Sequence, residues 1–174
     1  KPLKAQLDYI QSLPKPLIAV IDLLAQGKLV KAEQICKLFL QKNPRNVEGM
    51  RLLSQIALKL GVLDDAEFLL ESALEFSPNN SRIRIEYIQV LRKRQNYAGA
   101  LHQAKVLLEI DKENPQFQSV FAIEAMQSGD FENALIVFDK ILEKIPEDPV
   151  TLTSRGHLSL IHISEPTRRT TISY

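Results

Sequence analysis

The stretch that decides the fold is GVLDDAEFLLESALEFSPNN, residues 61–80. Its apolar residues recur at spacings of three and four, as they do on one face of an amphipathic helix. Gly61 precedes this face and suits the left-handed residue that often ends a helix, whereas Pro78 follows the face and cannot continue a helix. The stretch therefore predicts one helix bounded by two turns.

The same pattern returns every 34 residues along the chain. Four alanines mark it, glycines precede three of them, and prolines follow three of them. The third copy carries Gln95 and Lys112 in the glycine and proline positions. The signature residues that share the step are Gly27, Ala32, Pro44, Gly61, Ala66, Pro78, Tyr97, Ala100, Gly129, Phe131, Ala134 and Pro146. Periodicity of this length indicates a stacked array of helix pairs.

No strand-like alternation of useful length is present, so we predict an all-α fold of antiparallel helix pairs. Each pair would bury its apolar face only by stacking on a neighbour. The predicted segments are an N-terminal helix that caps the stack (1–13), four repeats (13–46, 47–80, 81–114 and 115–148) and a truncated fifth repeat (149–157).

The repeats resemble the tetratricopeptide repeat family. The motif G-x-L-x-x-A is carried by Gly61, Leu63 and Ala66, and A-x-x-x-[LF]-x-x-[AI] by residues 134–141. The resemblance covers residues 13–148. It implies a right-handed α-solenoid that acts as a scaffold, with the first helix of each repeat lining a concave groove for a protein or peptide partner.

The resemblance also implies which side chains face that groove. They are Arg51, Gln55, Lys59, Arg82, Gln89, Arg92, Lys93, Ile123 and Met126. Residues 82–94 carry five basic residues and one acidic one, whereas residues 60–77 carry five acidic residues and no basic ones. We therefore expect a mildly basic concave face. Two interpretations remain: the charges merely solvate helix faces, or the groove accepts an acidic or C-terminal peptide through forked arginine donors.

No catalytic constellation, metal-binding motif or nucleotide-binding loop is present, so we predict no catalytic residue, no metal and no cofactor. Cys36 falls in a core column, and His102 falls on the solvent side of a second helix. The net charge of +1 argues against nucleic acid, and no apolar run is long enough to favour a membrane. One cysteine and no visible leader favour the cytoplasm.

A finer resemblance leaves a second function open. The stretches MRLLSQIALKLG (50–61), YIQVLRKRQNYAGAL (87–101) and TSRGH (153–157) are similar to the N-terminal repeat region of bacterial tetratricopeptide-sulfotransferases. This implies an accessory region of an enzyme that uses 3′-phosphoadenosine 5′-phosphosulfate. The family's loop G-x-P-R-S-G-T-[ST] does not occur in these residues, so we expect no such activity from this chain.

The tail departs from the repeat. Residues 158–168, LSLIHISEPTR, resemble a translated sequencing adapter, and we predict that 158–174 is a non-native tail in which helical periodicity is lost. The fourth repeat would then lack a covering neighbour. Part of the surface of its last helix, which carries Ile136, Phe138, Ile141 and Leu142, would then be prone to self-association.

Overall fold

A computed structural model describes the backbone of residues 8–164 and the side chains of residues 8–160, and every regular element there is an α-helix. The expected all-α array of helix pairs is confirmed. The parts of the predicted cap and tail at residues 1–7 and 165–174 lie outside the described residues. The helices are α1 (residues 8–12), α2 (Lys15–Ala25), α3 (Leu29–Lys42), α4 (Val47–Leu60), α5 (Leu63–Phe76), α6 (Ser81–Lys93), α7 (Tyr97–Ile110), α8 (Pro115–Gln127), α9 (Phe131–Lys144) and α10 (Pro149–Ser164).

The turn inside each helix pair has a left-handed residue at the expected position. Gly27, Gly61 and Gly129 have φ values of 72°, 80° and 85°. Gln95 takes the same conformation, with φ of 60°, although it has a β-carbon that disfavours it. The left-handed geometry of the turn is therefore kept in the third repeat without its glycine.

The turns between pairs are built by prolines and side-chain caps. Pro44 lies just after α3, and the Asn46 side chain accepts a hydrogen bond from the Gly49 amide at 2.7 Å at the start of α4. Asn80 and Asn114 cap α6 and α8 in the same way. A capping side chain satisfies an amide that the helix itself leaves unpaired, so these residues set where each first helix begins.

The signature alanines lie in the core between the packed helices. Ala32, Ala66, Ala100 and Ala134 are all 0% exposed. A methyl side chain lets neighbouring helices approach closely, and larger apolar residues fill the space around it. The role expected of this column from the sequence is confirmed.

The helices gather into two compact units, with the boundary between Gln95 and Asn96. In the N-terminal unit, α2 to α6 pack in sequence, and α2 also contacts α4. In the C-terminal unit, α7 to α10 pack in sequence, and α10 also contacts α8. The boundary falls between the two helices of the third predicted repeat.

The expected loss of helical structure after residue 157 is wrong, because α10 continues to Ser164. Leu158 is 1% exposed and lies seven residues after the buried Thr151, on the same face of α10. This face packs against α8 and α9. The adapter origin of the tail remains a prediction about the gene, because a non-native sequence can also be helical.

Part of the expected sticky surface on α9 is exposed. Phe138 and Ile141 are buried, and Leu142 is half-buried. Ile136 alone of the four expected residues is exposed, at 60%. Self-association through this end of the chain remains a prediction.

Candidate functional site

The predicted groove residues all lie on first helices, but the structure gathers only some of them. Arg51, Gln55 and Arg82 line one cavity in the N-terminal unit. The others do not line that cavity, and they are Lys59, Gln89, Arg92, Lys93, Ile123 and Met126. Ile123 and Met126 are half-buried on α8 of the C-terminal unit. The candidate site is therefore narrower than the whole first-helix surface.

This first-helix cavity has a volume of about 580 Å³. The volume lies within the range of ~300–1,000 Å³ that is common for ligand clefts. Apolar side chains of α2 and α4 face it beside polar side chains of α4 and α6. Its lining consists of Tyr9, Ile10, Ile21, Leu24, Arg51, Leu52, Gln55 and Arg82.

Arg51 is held inside the protein by two carboxylates. It is 2% exposed, its Nε donates to Glu48 at 2.8 Å, and its Nη1 donates to Glu86 at 2.8 Å. Burial works to lower the pKa of Arg51, but the hydrogen bond to Glu48 and the charge of Glu86 outweigh it and raise that pKa. The guanidinium therefore stays charged and serves chiefly to organise the site.

Glu86 joins α4 to α6. Its Oε1 also accepts a hydrogen bond from Gln55 Nε2 at 3.1 Å, and Arg82 Nε lies 3.8 Å from it. Its Oε2 is buried and has no hydrogen-bond partner within the described part of the chain. The positive charges of two arginines and the negative charges of two glutamates thus offset one another near the cavity.

Tyr9 of α1 completes the cavity from outside the repeats. Its hydroxyl donates to Glu48 and accepts from Arg51 Nη2 at 3.2 Å, and the Arg82 guanidinium lies 4.8 Å from the centre of its ring. Burial and the hydrogen bond to Glu48 raise the pKa of Tyr9. Sequence reasoning missed this residue because it treated residues 1–13 as a cap. A tyrosine beside an isoleucine in a short apolar segment was the available signal.

Counting charges overestimated the basicity of this surface. Arg84 is buried, and its Nη2 donates to the Pro78 carbonyl at 2.5 Å. Arg94 forms ion pairs with Asp64, at 2.8 Å, and with Glu67, both on α5. The basic residues of 82–94 therefore point in several directions and do not form one basic face.

Cysteine and histidine do not form a reactive site within the described residues. Cys36 is buried, its Sγ donates to the Gly49 carbonyl at 3.3 Å, and burial raises its pKa to about 11, so it packs as a neutral thiol. His102 is exposed, as expected. Within the described range, no group of His, Cys, Asp and Glu residues is arranged to hold a metal ion. No helix in that range has the length and apolarity needed to cross a membrane.

Sequence comparison finds relatives in two bacterial biosynthesis systems. The cytochrome c-type biogenesis protein CcmH of Escherichia coli K12 is 26% identical over 111 residues, which are 62% of this chain and 31% of that protein. The Vi polysaccharide biosynthesis protein TviD of Salmonella typhi is 30% identical over 157 residues, which are 82% of this chain and 18% of that protein. The chain thus spans less than a third of the length of either relative.

Solved structures share the fold at low sequence identity. MamA from residue 41 onward, of Desulfovibrio magneticus RS-1, has a TM-score of 0.76 at 15% identity and covers 85% of this chain and 84% of its own. YrrB, described as a tetratricopeptide protein with an unusual peptide-binding site, has a TM-score of 0.71 at 16% identity, with coverages of 84% and 76%.

A family model adds a direct assignment. The model for the tetratricopeptide domain of cytochrome c-type biogenesis protein H matches residues 37–151, more than half of the chain. This match spans α4 to α9 completely, including Ala66, Ala100 and Ala134 of the alanine column and the capped turns. The chain therefore belongs to the tetratricopeptide-repeat domain family of cytochrome c-type biogenesis protein H.

Proposed function

We propose that this chain is a non-catalytic tetratricopeptide scaffold that binds a protein or peptide segment at the first-helix cavity. The observation that carries the proposal is the cavity itself, in which three first helices contribute both apolar and polar walls. Ile21, Leu24 and Leu52 supply surface that buries an apolar side chain, and Gln55 and Arg82 supply hydrogen-bond donors.

The electrostatics favour an amphipathic segment over a strongly acidic one. Arg82 is 53% exposed and retains donors that face solvent. Glu86 lies 3.8 Å from Arg82 Nε, and Glu48 pairs with the neighbouring Arg51, so two carboxylates offset the positive charge of the site. A ligand with many carboxylates would meet these two glutamates, whereas an apolar anchor with a few polar groups would suit both walls.

The relatives support a recognition module rather than one particular chemistry. The matched region occurs in proteins named for two different processes, c-type cytochrome biogenesis and Vi polysaccharide biosynthesis. A part shared by proteins of different activity is more readily a binding array than a reaction centre. The peptide-binding site in the description of YrrB agrees with this view for the fold.

The sulfotransferase alternative concerns sequence outside this chain. The TviD match covers 18% of that protein, so arrays of this kind do occur inside much longer proteins. Sequencing the source DNA beyond the codon for His157 with a different library chemistry decides the alternative. A strand followed by a phosphosulfate loop would support it, and further repeats ending in a stop would contradict it.

A steric block tests the scaffold proposal. Peptides that bind the full chain are selected from a random display library, labelled with fluorescein and titrated by fluorescence anisotropy. Gln55→Trp fills the cavity and should weaken binding at least about tenfold, equivalent to 1.4 kcal/mol. Gln34→Trp makes the same exchange at an exposed position of α3 and should leave affinity unchanged. Failure to select any binding peptide, or equal affinity for both variants, would contradict the proposal.

A further inference from the structure

The described part of α1 contacts the N-terminal unit through one side only. Tyr9 and Ile10 line the first-helix cavity, and Leu13 packs against the adjoining hydrophobic cluster. Asp8, Gln11 and Ser12 on the other side are exposed. Anchors at positions i, i+1 and i+4 are typical of an amphipathic helix that lies in a groove formed by other helices. Residues 8–13 therefore contact the repeats in the way that a separate helical peptide would, although they belong to the same chain.

Tyr9 is the main anchor of this contact. Its hydroxyl is held between Glu48 and Arg51, and its ring lies against the Arg82 guanidinium. A guanidinium near the face of an aromatic ring attracts it, and the paired hydroxyl avoids an unsatisfied polar group. The pocket therefore recognises both the ring and the phenolic hydroxyl, the two features that define tyrosine.

Residues 8–13 are joined to the repeats by a short connection. The described part of α1 meets the N-terminal unit through Tyr9, Ile10 and Leu13. Leu13 joins it to α2, which begins after Pro14 as its N-cap residue. The docked position therefore depends on the anchor contacts and on the short connection, which keeps the local concentration of the segment high.

We propose that the first-helix cavity recognises a helical partner segment with a tyrosine–aliphatic anchor pair, and that residues 8–13 occupy this place until the partner displaces them. This inference rests on the proposed function and adds the chemistry of the ligand. Tyr9 and Ile10 show that chemistry directly, since both line the cavity and Tyr9 contacts Glu48, Arg51 and Arg82 at its wall. The partner competes with a tethered copy of its own anchor.

Competition sets the expected size of the effect. If the cavity is free only about a tenth of the time, the apparent dissociation constant of a partner rises about tenfold. A substitution that weakens the contact of residues 8–13 with the cavity should remove this tenfold rise in the apparent dissociation constant. Residue changes on the exposed side of α1 should leave the occupancy unchanged.

The experiment uses a fluorescein-labelled peptide with the sequence of residues 1–13, KPLKAQLDYIQSL, titrated against the full chain. We expect Tyr9→Ala in the chain to bind it about tenfold more tightly than wild type. Tyr9→Phe, which keeps the ring and loses the hydroxyl, should give an intermediate gain. Gln11→Ala is the matched control on the exposed side and should behave as wild type. A peptide that itself carries Tyr9→Ala should lose its binding.

The opposing outcomes are distinct. Equal peptide affinity for wild type and Tyr9→Ala would overturn the inference. A lower thermal midpoint of Tyr9→Ala without any peptide binding would also overturn it, because that result would identify residues 8–13 as a structural cap. If display-selected peptides still depend on Gln55 under those conditions, the scaffold proposal stands and only the tyrosine anchor fails. If Tyr9→Ala does not fold, Tyr9→Phe supplies the same comparison.

Discussion

The first helices α4 and α8 occupy equivalent places in the repeat but present opposite chemistry. Arg51 of α4 is buried between two carboxylates, whereas Ser119, 68 residues later on α8, is a half-buried neutral residue. Gln55 donates to Glu86, and its counterpart Ile123 is apolar. The repeat thus reproduces helix packing from one unit to the other and leaves the surface of the first helices free to differ.

The packing positions show why this separation is possible. Ala66 and Ala134 are fully buried at the same place in their pairs, and Gly61 and Gly129 share the left-handed turn. These residues determine how two helices meet, because any larger side chain or other backbone conformation would move the pair. Positions 51 and 55 lie outside that signature, so they can carry a function in one unit only.

The two units also differ in how deeply their ion pairs are buried. In the C-terminal unit, Glu113 pairs with Lys140 at 3.1 Å and with Lys144 at 2.5 Å, and these contacts hold the pKa of Glu113 below its ordinary value. All three side chains are exposed. Water and salt screen such pairs, and exposed pairs contribute little to stability. The Arg51 network is buried, so its loss should have a far larger effect.

Removing the buried guanidinium is the strongest test of this contrast. Arg51→Ala leaves Glu48 and Glu86 without their shared cation, and breaking a buried pair in this way costs about 3 kcal/mol. Ser119→Ala at the equivalent position should change the free energy of unfolding by less than about 0.5 kcal/mol. Urea unfolding followed by circular dichroism measures both. Equal effects of the two substitutions would show that the polar network does not distinguish the units.

The sequence predicted the turns and the core column well because they depend on local signals. Gly61 and Pro78 were correctly placed at turns, and the alanine column was correctly placed in the core. The backbone chemistry of these residue types decides such features without reference to distant parts of the chain.

The site was predicted less well because it depends on distant partners. Glu48 lies three residues before Arg51 on one helix, so that pair was visible in the spacing. Glu86 lies 35 residues away, and only the packing of the helices brings it to Arg51. Tyr9 reaches its partners only because α1 packs against α4 and α6, and the break at Pro14 does not by itself show where α1 packs.

Substitutions in the left-handed turns should have a smaller effect on stability, and the effect should be the same in both units. Gly61→Ala and Gly129→Ala force a β-carbon into a positive φ and should each lose about 1 kcal/mol of stability. No atom lies within 4 Å of a β-carbon added at either position, so the effect reports backbone strain rather than a clash. Gln95→Gly relieves the same strain and should gain about 0.5 kcal/mol. Urea unfolding of the three variants measures these changes, and a loss of stability in Gln95→Gly would show that its side chain contributes more than the strain costs.

A further test concerns the pH dependence of the Tyr9 contact. The hydroxyl hydrogen bonds should contribute about 1 kcal/mol at neutral pH, which is the difference in unfolding free energy between wild type and Tyr9→Phe. Because the pKa of Tyr9 is raised from 10.0, the folded protein holds this proton more tightly than the unfolded chain does. The contribution is therefore complete below pH 10 and is lost as the pH rises through the raised pKa.

The physical cause of that loss is the surroundings of the phenol. A phenolate would be partly desolvated and would face the Glu48 carboxylate, and Arg51 offsets that repulsion only in part. Cys36 and Tyr87 also have raised pKa values, so wild type alone would not isolate the effect. Tyr9→Phe retains both groups, and the difference between the two proteins across alkaline pH belongs to Tyr9. A difference that stays constant above pH 10 would mean that the hydroxyl is not held by Glu48, and the recognition of tyrosine would then depend on its ring and Arg82 alone.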